Sequence, residues 1–165
     1  MKQEITVKAF FLSIFLSIVL SSAMAYLGLY AGMTISASIP AAIMSMGILK
    51  LFRESNILEN NIVQTAASAG ESLAAGVIFT IPALVLIGYW DTINYWEVTK
   101  IAMVGGILGA LFTVPLRRAL ILKANLKFPE GVATAAVLKT GHESDAKKSS
   151  ESLKLIGLSA LVGGV

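Results

Sequence analysis

Long apolar stretches alternate along the chain with short charged ones. Between Lys8 and Lys50 lie 41 consecutive residues without a charge, whereas about 20 apolar residues already cross a bilayer as a helix. Water is therefore not the main solvent of this chain, and the pattern predicts membrane-spanning helices. The first span covers about residues 9–30, with Lys2 and Lys8 before it and the small-residue step from Gly28 to Gly32 after it. The second, 32–51, is built from Gly, Ala, Ser, Thr, Met and Ile, a composition that suits close packing inside a bundle. Pro40 lies within it and is expected to kink or break the helix, with Ser36 and Ser38 near enough to satisfy freed carbonyls. The third span, 62–90, falls in the 30 residues from Asn61 to Trp90, which hold a single charge, Glu71, and a second candidate break, Pro82. The fourth, 101–116, carries Gly105-x-x-x-Gly109, a small-residue packing signal. A polar segment, 117–152, and an incomplete fifth span, 153–165, complete the chain. The predicted fold class is all-α: one polytopic transmembrane helical bundle over residues 1–165, with four spans and the start of a fifth.

Composition agrees with the pattern: 56% of the residues are hydrophobic, 14% are charged, and the mean hydropathy is +0.78. The net charge of +3 would suggest nucleic acid in a soluble chain, but the cations form no dense run, so no nucleic-acid partner is expected. Their distribution reports orientation instead. Threading the spans in order puts twelve of the thirteen cations on the side of the N-terminus and only Lys100 on the other. By the positive-inside rule the N-terminus, the 50–60 loop and the 117–152 segment are cytoplasmic. All six Tyr and Trp residues (Tyr26, Tyr30, Tyr89, Trp90, Tyr95, Trp96) then fall at the outer interface, where amphipathic rings are favoured. The expected location is a cytoplasmic (inner) membrane, multi-pass. A secretory signal peptide is the competing reading of the start, from its basic residues, the apolar core Phe10–Leu20 and Ala23-Met24-Ala25; Glu4 and the continued apolar run to Leu49 oppose it. The absence of cysteine removes disulfides, thiolate nucleophiles and zinc–thiolate sites. The last apolar run starts at Leu153 and has 13 residues, too few to span, so the chain reads as part of something longer.

Within the polar segment, Pro129-Glu130 at one end and Lys139-Thr140-Gly141 at the other predict a short helix, with Pro and an acid in its first turn and Gly as its stop. Residues 141–152 read as a solvated linker, with His142 exposed. Arg117 and Arg118 are expected to anchor a helix end at anionic lipid. The chemistry is expected at Glu71. A charge within a span costs about 2.5–3.5 kcal/mol on insertion scales, so an acid kept there needs a partner or a function. Asn61, Gln64, Ser68 and Glu71 follow one another at spacings of 3, 4 and 3, which places four polar side chains on one helix face. That stripe is the expected proton-coupling and substrate pathway. The alternative puts Glu71 at the interface, since the 19 residues Ser72–Trp90 span by themselves; Asn60 and Asn61 would then cap the helix start. The chain contains no H-E-x-x-H, G-x-S-x-G or G-x-x-x-x-G-K-[ST], so no enzyme, metal site or cofactor is expected, with protons as the coupling ion.

Three strings carry a family resemblance: Asn60-Asn61-Ile62-Val63-Gln64-Thr65-Ala66-Ala67-Ser68-Ala69-Gly70-Glu71-Ser72, Pro115-Leu116-Arg117-Arg118, and Leu126-Lys127-Phe128-Pro129-Glu130-Gly131-Val132-Ala133-Thr134-Ala135. With Gly32 to Pro40 they resemble, in order and spacing, the N-terminal part of the oligopeptide transporter (OPT) family in its prokaryotic branch. The plant yellow-stripe-like metal-chelate transporters share two of the strings in looser form. The resemblance implies an all-helical secondary transporter with more than a dozen membrane helices that moves peptides or metal chelates, generally with protons. The asparagine-proline-glycine step and the lysine-isoleucine-proline-proline-arginine run of the eukaryotic peptide branch do not occur, which leaves peptide and chelate both open as substrate. The expected partners are that substrate and membrane lipid, with a homo-oligomer left open. The rival from another class is a membrane assembly or scaffold subunit without transport, in which the polar stripe is only interhelical glue.

Overall fold

The computed structural model describes residues 5–51, 56–124, 126–142 and 158. Among them the chain forms five α-helices: α1 Val7–Ala31, α2 Ser38–Leu51, α3 Ile57–Leu86, α4 Tyr95–Leu116 and α5 Pro129–His142. A π-helical segment, Arg117–Lys123, continues α4. Three helices are long and apolar enough to cross a membrane: α1, α3, and α4 with its continuation; α2 is a shorter apolar helix. The linker expected over 143–152 and the fifth span lie outside the described residues, apart from Leu158.

Three of the helices, α1, α3 and α4, start where the sequence offers a side-chain partner to the orphan N–H groups of a first turn. Thr6 caps α1, its side chain accepting from the Ala9 N–H at 3.2 Å. At the other end of α1, Gly32 takes φ 69° and returns its N–H to the Gly28 carbonyl, a left-handed stop suited to glycine. Asn56 caps α3 through a reciprocal box. Its Oδ1 accepts from the N–H groups of Leu58 and Glu59 at 2.8 and 3.0 Å, and the Glu59 carboxylate accepts from the Asn56 N–H at 3.1 Å. The third span thus begins five residues before the expected 62, with Asn56 in the capping role that the alternative reading gave to Asn60 and Asn61. Similarly, Asn94 starts α4 six residues before 101 by accepting from the Trp96 N–H at 3.1 Å.

The second span differs more. Residues 33–37 are not helical, and α2 has only 14 residues, about 21 Å at 1.5 Å per residue, less than a bilayer's hydrocarbon. Pro40 falls in the first turn of α2, where no intrahelical partner awaits its missing N–H, so it does not break a longer helix. Pro82 lies inside α3, which continues beyond it to Leu86.

Packing is built around α3. α1 runs parallel to it and makes the most extensive contact, through Ala9, Leu16, Val63 and Ala67, all fully buried, with Ala41 and Leu49 of α2 closing the same cluster. The helices approach closely at Gly70, where a Cβ would collide with Ser17 Oγ. Phe11 and Phe15 of α1 are exposed, as a lipid-facing surface requires, and Phe10 and Ile18, also exposed, border a groove with Ile62 and Ala66 of α3. α2 returns antiparallel to α3, with Ser38 beside Ser68 and Leu49 beside Val63. Its start is therefore level with the twelfth of the 30 residues of α3. α5 lies parallel to α2: Glu130 meets Ser36 at one end, and Leu138 and Gly141 meet Met46 at the other. The helix predicted over 129–141 thus packs into the bundle against α2 and α3. α4 buries no residue and reaches α3 where Gly106 faces Leu73. After Pro115, which lacks the N–H for an i−4 bond, the chain widens into the π-helical segment, closed by the Ala124 N–H to the Ala119 carbonyl at 2.9 Å.

Candidate functional site

A cavity of about 870 Å³ opens where the starts of α2 and α5 face the middle of α3. All four residues of the stripe line it: Asn61, Gln64, Ser68 and Glu71. Gln64 and Glu71 are buried, Ser68 is half-buried and Asn61 is exposed. Ile62 and Ala66, on other faces of α3, line a separate groove with α1, and Leu73 faces α4. The helical spacing thus separates polar from apolar neighbours as the sequence pattern requires.

The opposite wall joins segments far apart in sequence. Ser36 and Ser38 come from the entrance to α2, and Phe128, Glu130 and Thr134 from α5 and the strand of chain leading into it. Their polar atoms form one continuous series. Gln64 Nε2 donates to Ser68 Oγ at 3.2 Å, Ser68 Oγ lies 3.1 Å from Ser38 Oγ, and Ser38 Oγ lies 3.2 Å from Ser36 Oγ. Ser36 Oγ then donates to Glu130 Oε1. The Ser38 N–H also points to Ser36 Oγ, at 3.4 Å. Glu71 stands one turn beyond Ser68 on the same face. Its side chain is only 7% exposed, yet it has no hydrogen-bond or ion-pair partner among the described residues. Lys127 and Lys139 are the cations that line the cavity with these two carboxylates.

Below the cavity, toward the start of α3 and the end of α5, a second polar contact replaces an expected exposed residue. His142 is not in a solvated linker: it ends α5, partly buried, with Nδ1 3.1 Å from the Leu138 carbonyl and Nε2 3.1 Å from Asn60 Nδ2. A neutral ring satisfies both contacts when its Nδ1–H donates to the carbonyl and its Nε2 accepts from the amide. Asn60 is completely buried; its Nδ2 also reaches the Asn56 carbonyl at 3.3 Å, while its Oδ1 has no partner among the described residues. Sequence reading missed Asn60, His142 and Glu130 as site residues, and it gave Ser36 and Ser38 only a structural part. Their partners lie 82, 94 and 30 positions away, beyond any local periodicity. Among the described residues no group of three or more His, Cys, Asp or Glu is arranged to hold a metal ion.

Three helices long and apolar enough to cross a membrane, one of which buries an acid at the wall of a cavity, define a polytopic membrane protein. The chain belongs to the OPT oligopeptide transporter family, whose model matches residues 4–165. A Haemophilus influenzae protein named "Putative oligopeptide transporter" is 51% identical to it over 107 residues, 65% of this chain and 17% of that protein. The chain therefore covers well under two thirds of the length of this relative. No solved structure matches the chain.

Proposed function

We propose that this chain forms part of a proton-coupled secondary transporter for oligopeptides, with the cavity between α2, α3 and α5 on the substrate pathway and Glu71 as its ionisable coupling group. The observation that carries the reading is the buried Glu71, without a polar partner among the described residues, at the wall of a cavity of about 870 Å³, within the range of ligand sites, about 300–1,000 Å³. A carboxylate kept in an apolar bundle without a structural partner is costly, and a transported proton or a substrate donor is the partner that gives it a use. The half-length α2, which begins level with the middle of α3, is the kind of discontinuous helix on which transporters build central sites. In the same reading the N-terminus and the loop between α2 and α3 face the cytoplasm, and the Asp91–Asn94 turn faces outside, since the cations cluster on the former side.

The test uses the complete transporter in liposomes, with trialanine as probe. The wild type is expected to accumulate it under an inward pH gradient and to exchange it without one. Glu71→Gln should fold and exchange trialanine but lose gradient-driven accumulation, and Glu71→Asp should retain part of it because the charge survives on a shorter stem. Wild-type pH dependence in Glu71→Gln would place the coupling acid elsewhere, and absence of any uptake or exchange by the wild type would favour the scaffold reading.

A further inference from the structure

The series of hydroxyls at the cavity wall ends on one carboxylate, Glu130, and begins one helical turn from another, Glu71. The geometry points to a proton path from Glu130 to Glu71 through the hydroxyls of Ser36, Ser38 and Ser68, which makes Glu130 a second carboxylate of the coupling site. The inference rests on the proton-coupled reading above and adds to it the route and the second group.

Each serine hydroxyl has one hydrogen to give and two lone pairs to receive, so a row of them can pass a proton on while taking one up. The oxygen spacings along the row are 3.1 Å from Ser68 to Ser38 and 3.2 Å from Ser38 to Ser36, and Ser36 is bonded directly to Glu130. Gln64 and Ser36 set the polarity of the row. The Gln64 amide N–H donates to Ser68 Oγ at 3.2 Å, which leaves one Ser68 lone pair for Ser38 and the Ser68 hydrogen free to turn toward the cavity. Ser36 Oγ donates to Ser38 Oγ at 3.2 Å. With Glu130 protonated at the far end, every group can donate in the same sense, Glu130 to Ser36, Ser36 to Ser38 and Ser38 to Ser68. Ser68 passes its own proton to an ionised Glu71 through one water in the cavity that both residues line. Glu130 gives its proton to Ser36, Ser36 to Ser38, and Ser38 to Ser68. The net change is one proton moved from the Glu130 carboxyl to the Glu71 carboxylate; every serine O–H is re-formed and no electrons are exchanged. The two ends differ in access: Glu130 is exposed and Glu71 is buried, and Lys127 and Lys139 are the other charged groups that line the cavity.

A structural reading of the same contacts is that Ser36 and Glu130 simply tie the entrance of α2 to α5. The experiment therefore reads a ratio that a tie would not move. Wild type, Ser38→Ala, Ser38→Thr and Glu130→Gln versions of the complete transporter are reconstituted, and for each the rate of pH-gradient-driven trialanine uptake is divided by the rate of trialanine exchange, in H2O and in D2O. Ser38→Ala and Glu130→Gln are expected to lower this ratio at least about tenfold, the lower end of what a positioned proton donor contributes. Ser38→Thr, which keeps a hydroxyl, should recover most of the ratio, and wild-type driven uptake should be slower in D2O while exchange is less affected. Wild-type ratios in Ser38→Ala and Glu130→Gln would overturn the path, as would a parallel loss of both rates that threonine does not rescue. Failure of the proton-coupled reading is seen separately, in a wild type that exchanges trialanine without responding to the pH gradient, and it would remove the path as well.

Discussion

At Gly70 the missing side chain sets how closely two helices approach. α1 and α3 meet there with Ser17 Oγ in the space a Cβ would need, whereas around Gly105 and Gly109 of α4 nothing lies within 4 Å of an added Cβ. Gly70→Ala in the complete protein is expected to cost about 1–3 kcal/mol, the usual range for overpacking a close contact, read as a lower melting temperature in detergent. Gly105→Ala should leave that temperature unchanged unless another part of the protein packs on it. The sequence motif singled out Gly105 and Gly109, yet in the described structure the close contact belongs to Gly70, inside a string whose polar spacing drew attention instead. The stripe of Asn61, Gln64, Ser68 and Glu71 was legible because its signal is local, three and four residues along one helix. Glu130, Ser36 and Ser38 were not, because a helix-start acid and two loop serines become a site only when chain folding brings them to that stripe.

Among the elements, hydropathy found the long helices but not where they begin, whereas the end signals from Pro129-Glu130 to Gly141 found the short α5 and its start. Caps decide the beginnings, and a single Asn side chain moves a boundary by a turn or more. Asn56→Ala removes the side-chain half of the capping box, the Oδ1 that accepts from the Leu58 and Glu59 N–H groups, and is expected to destabilise the protein by about 1 kcal/mol, whereas Pro40→Ala, in a first turn that needs no N–H, should shift stability by less than that. Comparison of their unfolding midpoints checks both. An apolar composition does not distinguish a helix from an extended lead-in, which is why residues 32–51 read as a full span although the helix of α2 begins at Ser38. Orientation is tested by thiol labelling: a cysteine replacing Thr92, in the turn before α4, is expected to react with an impermeant reagent in intact cells. Protection there, with labelling only after lysis, would reverse the threading.

For the molecule as a whole, the clearest feature is the surface it leaves uncovered. α4 buries none of its residues, and Ile107, Leu111 and Phe112 are among many large apolar side chains left exposed along it. In the complete transporter lipid or further helices must cover them, since water cannot. This chain covers 17% of its Haemophilus influenzae relative, and alternating access requires two sets of helices to move against each other around a central site. The 165-residue chain reconstituted alone is therefore expected to show no gradient-driven trialanine uptake; uptake above that of empty liposomes would mean that these helices suffice.

The level at which α2 begins also has an electrical meaning. Ser38 stands beside Ser68, the twelfth residue of the 30 in α3, so in the proposed orientation, with α3 spanning the membrane, an ion held there would have crossed only part of the voltage. Moving one elementary charge through the full potential is worth about 2.3 kcal/mol per 100 mV, so a site at about half depth takes roughly 1.2 kcal/mol of it. For a proton arriving from outside, an interior-negative voltage of 100 mV should raise the apparent affinity about sevenfold, since about 1.4 kcal/mol corresponds to tenfold. Liposomes clamped with valinomycin and graded potassium would show this as a shift in the external pH that gives half-maximal uptake. No such shift would mean that the cavity already lies at the potential of the outer solution.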